Sequence, residues 1–243
     1  MPEISRTVSS NVDVLTRQFE QIANNLANVS TIGYKRQRSD FLTALRSEMA
    51  SSDAVPPSQV DMKQTVDFSQ GNLTQTGRSL DLALVGKGFF VLETPDGPRY
   101  TRNGTFQTNA ASQLVDSQGR MVAGDGGPIV IPAGTDLSAL SVSDNGTIAS
   151  GSIRIGKLSV ADFGDQQGQL QPAGSGCFQA PAGVTPSATQ DVVVKQGFRE
   201  SSNVQMVEEL VAMISVSRLY EANMRFVTAN KEASRSIMDV AMG

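Results

Sequence analysis

The sequence predicts an α+β protein. Its N- and C-terminal helices pair as a coiled-coil-like layer, and between them lies a central β-rich domain of sandwich or open-barrel kind. Three observations predict this. Near the start, Val8, Val12, Leu15, Phe19, Ile22, Leu26 and Val29 recur at alternating steps of four and three, an unbroken heptad seam. Near the end, Met206, Leu210, Met213, Tyr220, Met224, Val227, Met238 and Ala241 keep the same rhythm, interrupted at Ser217, Lys231 and Ser234. Such steps place side chains along one stripe of a helix, the stripe that a coiled coil buries. The middle is rich in Gly, Asn-Gly pairs and short β-branched runs, the pattern of strands and turns. The expected organisation is a helix over 1–34 paired with one over 198–243, a connector over 35–77, and a β domain over 78–197.

The first helix is expected to run through Asn28, with Gly33 supplying a residue that can take positive φ just beyond it. Asn24, Asn25 and Asn28 stand near its end although Asn is a poor helix former. Two readings follow: they fray the last turn, or their amides bond neighbouring backbones in an assembly and fix register. The seven seam residues gain about 1.5–3 kcal/mol each on full burial. Ordering the backbone costs roughly 1–2 kcal/mol per residue, besides nucleation. The helix therefore needs a partner, and the segment should stay mobile until it finds one.

The connector opens with Lys35-Arg36-Gln37-Arg38, read as a solvated helix terminus or a salt-bridge donor to a neighbour. It carries a short apolar stretch at Phe41, Leu42 and Leu45, a loop through Pro56-Pro57, and an expected strand over Val66–Leu73. So long a connector suits contacts between subunits.

In the central region, strands are expected at Leu80–Leu84, Phe89–Leu92, Arg99–Thr101, Thr105–Gln107, Leu114–Val115, Met121–Val122, Pro128–Ile131, Ser152–Ile155, Leu158–Phe163 and Val192–Val194. Pro95-Asp96-Gly97-Pro98 and Asn103-Gly104 mark turns. Gly86-Lys87-Gly88 suggests a phosphate loop, but the upstream Gly that motif requires is Asp81. It is read as a hairpin turn. The last helix follows Ser201-Ser202-Asn203, an expected N-cap, with Glu208 and Glu209 where the dipole favours acid. A second apolar stripe, Val207, Val211 and Ile214, runs beside its seam, which suits a helix gripped by several neighbours.

Composition narrows the function. The chain has 243 residues and a net charge of −4, with no long run of one sign, so nucleic acid is not an expected partner. No apolar run is long enough to cross a bilayer, and the N-terminus lacks the apolar core of a signal peptide. There is no His, so neither a Ser-His-Asp or Cys-His pair nor an imidazole metal site can form. With no Trp, a stacking groove for sugars or bases is poorly furnished. The single Cys177 reads as a small buried apolar residue. Asp96, Asp116 and Asp144 sit beside turn residues, where turn-making explains them without catalysis. No enzyme activity, metal or cofactor is expected.

The stretch Asn24-Asn25-Leu26-Ala27-Asn28-Val29-Ser30-Thr31-Ile32-Gly33-Tyr34-Lys35 closely resembles the N-terminal signature of bacterial flagellar rod and hook proteins; Ile32 stands where Thr or Pro is more usual. Leu80–Phe106, with Gly88-Phe89-Phe90-Val91 and Tyr100-Thr101-Arg102-Asn103-Gly104, is similar to the same family. So are Gly197-Phe198-Arg199-Glu200-Ser201-Ser202-Asn203-Val204 and Tyr220-Glu221-Ala222-Asn223. The resemblance implies an axial rod subunit, exported unfolded by the flagellar type III apparatus without a cleaved signal. It would reside in the periplasmic rod of the basal body. Its partners would be other proximal and distal rod subunits in a homo- or hetero-oligomeric helical rod, with both termini lining the export channel. Length and the stretch Gly156–Phe163 look more like the proximal rod F type than the distal G type. A rod-associated peptidoglycan hydrolase is the competing class. The assembly interface expected on this basis comprises Val8, Val12, Leu15, Phe19, Ile22, Asn24, Asn25, Leu26, Asn28, Gly33 and Tyr34, with Leu210, Met213, Tyr220, Met224, Val227 and Met238.

Overall fold

A computed structural model of the chain describes residues 2–39, 64–188 and 192–242, with side chains over 12–38, 65–187 and 192–229 and at 232. Phe41, Leu42, Leu45 and Pro56-Pro57 of the connector lie outside the described residues, as do the side chains of Val8 and Met238. The chain divides into two compact units. One comprises Met1–Ala27, Gln37–Asp67 and Gln205–Gly243; the other comprises Asn28–Arg36 and Phe68–Val204.

The first unit is mainly helical. Helix α1 spans Pro2–Ala27 and helix α2 spans Met206–Met242, and the two are in contact. A short antiparallel pair, Gln37–Ser39 with Gln64–Val66, accompanies them. The second unit is β-rich. Its ten-stranded sheet is built on Phe89–Thr94, which pairs with Gly97–Thr101 on one side and Met121–Gly124 on the other. The register Thr94↔Gly97 makes Pro95-Asp96 the hairpin loop that the Pro-Asp-Gly signal predicts. A three-stranded sheet, Leu140–Val142, Thr147–Ser150 and Ile153–Lys157, is joined to the same core.

That core gathers Leu82, Leu84, Phe90, Leu92, Phe106, Leu114, Val122, Ile148, Leu158 and Val194. Phe68, Phe89, Phe163, Tyr100 and Phe178 form a chain of edge-to-face ring contacts beside it. Burial on Leu82–Val85 is two-sided, since Ala83 is as covered as Leu82 and Leu84. Even Asp81 is buried, held by the Arg78 guanidinium at 3.1 Å.

Three expectations are corrected. Gly86-Lys87-Gly88 is not a hairpin: the strands it joins do not pair with each other, and Leu82–Val85 takes Val193–Gln196 as its partner. Val66–Leu73 is not a strand. Strands Gln64–Val66 and Leu73–Gln75 stand at its ends, and residues 67–72 between them are irregular. Their backbone groups are spent elsewhere, Ser69 O on Lys35 and Gly71 N on Glu200, so no ladder forms through them. The final helix begins at Met206, with Gln205 and not the expected Ser201-Ser202-Asn203 immediately before it, and the Asn203 amide accepts from Arg36 N and donates to Ser69.

Candidate functional site

The C-terminal return of the chain positions the most unusual cluster in the second unit. Val193–Gln196 zips against Leu82–Val85, Gly197 turns at φ +76°, and Phe198–Glu200 pairs with Leu73–Gln75 in the register Glu200↔Leu73. Glu200 is thereby carried inside, with no exposed side-chain surface. Its Oε1 accepts from Lys35 Nζ at 2.6 Å and from Gly71 N at 2.9 Å; its Oε2 faces Arg102 Nη1 at 3.4 Å. Its main-chain carbonyl accepts from Gly33 N at 2.8 Å. Lys35, also fully covered, donates to Ser69 O at 2.6 Å as well. Arg102 donates through Nη2 to Gly86 O at 2.8 Å and lies over the Phe89 ring at 5.3 Å.

Burial draws the Arg102 pKa below its ordinary value, and the Glu200 carboxylate acts in the opposite sense. A carboxylate removed from water needs charged partners and several donors to be tolerable, and Glu200 has both. The reading of Lys35-Arg36-Gln37-Arg38 as a solvated terminus is therefore corrected for Lys35. Arg38 does behave as a surface charge, pairing with Asp67 at 2.7 Å.

Two glycines make the close approach possible. Gly33 has φ +68°, and a Cβ there would lie 2.5 Å from Asn103 N. A Cβ on Gly71 would lie 2.0 Å from Ser201 O. The loop after α1, the Tyr100–Gly104 segment and the Gly197–Val204 segment, remote in sequence, thus meet around one carboxylate. The sequence singles out Gly33 and its neighbours but not Lys35, Arg102 or Glu200 as partners.

In the first unit Asn25 is buried, and its amide makes a two-point bond to the backbone of Gln37, accepting from N and donating to O, each at 2.9 Å. It also reaches Glu209 Oε2 at 3.5 Å. The backbone it binds belongs to its own chain, which neither reading of the Asn cluster anticipates. Asn28 Oδ1 accepts from the Thr31 hydroxyl at 3.0 Å, and Asn24 lies exposed. Tyr34 is half-buried, its carbonyl accepting from Asn203 N at 3.4 Å.

Among the described residues, the buried positions on α1 are Leu15, Gln21 and Asn25, and those on α2 are Glu209 and Val216. Gln21 and Asn25 are one turn apart and lie beside the heptad seam rather than on it. Of the expected interface residues, Val12, Ile22, Leu26, Met213 and Val227 are half-buried, whereas Phe19, Leu210, Tyr220 and Met224 are exposed. The second stripe of α2 is more open still: Val207 is 73% exposed, Val211 59% and Ile214 55%. Among the described residues no group of His, Cys, Asp or Glu is placed to hold a metal ion, and no helix is long and apolar enough to cross a membrane.

Residues 83–150 match the flagellar hook protein FlgE/F/G D1 domain, and residues 195–240 match the flagellar basal body rod FlgEFG protein C-terminal family. The chain is 32% identical to the flagellar basal-body rod protein FlgF of Caulobacter vibrioides, over 93% of this chain and 92% of that one. It belongs to the flagellar basal-body rod protein family. It is also 32% identical to the rod protein FlgG of Agrobacterium fabrum, over 92% of this chain and 94% of that one. The FlgF of Salmonella typhimurium matches at 32% over 86% of each chain. The C-terminal rod-protein match takes in Glu200, Asn203 and the stripe Val207–Val211–Ile214 together.

Proposed function

We propose that this chain is an axial structural subunit of the flagellar rod that polymerises through α1 and α2 and has no enzymatic activity. The observation that carries this reading is the open apolar stripe Val207, Val211 and Ile214 on α2, with Leu210 beside it. One face of α2 already meets α1 in the same unit, so a second apolar face is surplus to a single chain. A contiguous apolar surface of this kind suits further helices of the same kind in a layered tube. In this reading α1 and α2 together form a coiled-coil-like layer around the export channel. Gly33, Tyr34 and the Asn cluster set the path of the chain where it leaves α1. The subunit reaches the periplasmic rod by type III export without cleavage.

The proximal F type is the preferred position within the rod, supported by Gly156–Phe163. FlgF and FlgG relatives match at the same identity, so the distal position is the second reading. Chromosomal deletion and complementation test both. The deletion should abolish motility, and the tagged protein should copurify with basal bodies arrested before distal rod assembly. Recovery only from basal bodies that already carry distal rod would assign the distal position. Absence from purified basal bodies would reject the structural reading altogether.

A further inference from the structure

We propose that Glu200 is the closing member of an electrostatic latch, and that the loop Asn28–Arg36 cannot seat on the β-rich unit until Glu200 has docked. Lys35 and Arg102 both face this one carboxylate, and all three side chains are at most 2% exposed. Without Glu200 the site would hold two cations from different segments where water cannot screen them, and like charges oppose closure. Asp162 also attracts Arg102, but less strongly than Glu200 does. Hydrogen bonding points the same way. The carboxylate takes Lys35 and the Gly71 amide, and the carbonyl takes the Gly33 amide, so one residue adds three bonds to the Lys35–Ser69 bond that joins the same two stretches of chain.

Position in the chain gives the latch a direction. Glu200 lies 165 residues after Lys35, on a strand whose register follows from the pairing of Val193–Gln196 with Leu82–Val85. Chains emerge N-terminus first. Lys35 and Arg102 therefore precede their shared counter-ion, and the loop after α1 stays open until almost the whole β-rich unit has formed. The path by which the chain leaves α1 is then set only in a molecule that carries its C-terminal segment. This inference rests on the second unit alone and does not depend on assembly into a rod.

Native-state amide exchange on the full chain tests it with Glu200→Gln, Lys35→Met and the double variant. In Glu200→Gln, exchange at Gly33 and Arg36 should rise by about a hundredfold or more, the loss expected from an uncompensated buried charge. The Ile129 amide, bonded to Val122 O within the sheet, should not change. Adding Lys35→Met to Glu200→Gln should restore protection at Gly33 by about tenfold or more, because it removes one of the opposed cations. Wild-type protection in Glu200→Gln would overturn the latch. So would a double variant more open than the single one, since Lys35 would then act by packing. If Glu200→Gln fails to fold, circular dichroism decides: a folded double variant supports the latch, and an unfolded one overturns it.

Discussion

At Gly33 two separate constraints fall on one atom that is not there. The residue holds φ +68°, which costs an L side chain about 1–3 kcal/mol. A Cβ would also meet the Asn103 backbone nitrogen at 2.5 Å, and backbone cannot step aside cheaply. Gly33→Val should therefore lower the unfolding free energy by about 3 kcal/mol or more in urea titration, and should leave export intact while rod incorporation falls. Unchanged stability together with normal motility would remove the role assigned to this loop. Cys177 gives a second residue-scale expectation. Burial pushes its thiol pKa up, so the folded state holds the proton more tightly than the unfolded chain does. Its contribution to stability is fully present below about pH 8.5, the ordinary thiol value, and is lost as pH rises towards the raised folded value. The decline in urea midpoint above that pH should be shallower in Cys177→Ala, and a thiol reagent at pH 8 should label the wild type rapidly only in denaturant. At this scale the sequence was partly legible. Positive φ at Gly33 and the turn role of Asp116, whose Oδ1 accepts from the Gln118 and Arg120 amides, follow from residue type. The Lys35–Glu200 pair does not, because a charge in a short basic run gives no local sign of a buried partner so far along the chain.

Elements were more legible than their surroundings. Both long helices follow from the three-and-four spacing, because that period is intrinsic to the helix. Which face meets α1 does not follow, since Gln21 and Asn25 are buried while Phe19 of the seam is 41% exposed. Short β runs such as Leu114–Val115 were readable for the same intrinsic reason. Residues 67–72 were not, because their backbone partners, Lys35 and Glu200, come from distant segments. The two kinds of α2 face support a contrast. Leu210→Asp and Met224→Asp alter positions about 42% exposed in the single chain, so its melting should shift by no more than a surface change, about 0.5 kcal/mol. Rod assembly should nevertheless fail, because a carboxylate would enter an interface that excludes water. Val216→Asp alters a buried position and should cost the isolated chain more than about 2 kcal/mol. Circular dichroism melts and the composition of purified basal bodies separate the two effects. Normal rods from the Leu210 and Met224 variants would mean that this stripe faces no partner.

For the whole molecule, the β-rich unit is not a continuous stretch of chain. It takes Asn28–Arg36 from beyond α1 and Phe68–Val204 from the remainder. A fragment over 78–197 contains Arg102 but neither Lys35 nor Glu200, and it lacks Ser69 and Gly71. It keeps the apolar core from Leu82 to Val194, so collapse of the sheet should survive. It also leaves the buried Arg102 guanidinium without its carboxylate, a loss of about 3–5 kcal/mol if the site stays dry. A fragment over 28–204 restores the three charged groups and the Gly33 and Gly71 bonds to Glu200. Urea denaturation should therefore find the longer fragment more stable by about that amount. Adding Arg102→Met to the shorter fragment should recover part of the difference, because the stranded charge is removed with little change in volume. Equal stability of the two fragments would mean that the ends of the chain contribute nothing to the β-rich unit. In that case the three remote segments around Glu200 would have to be explained by assembly alone.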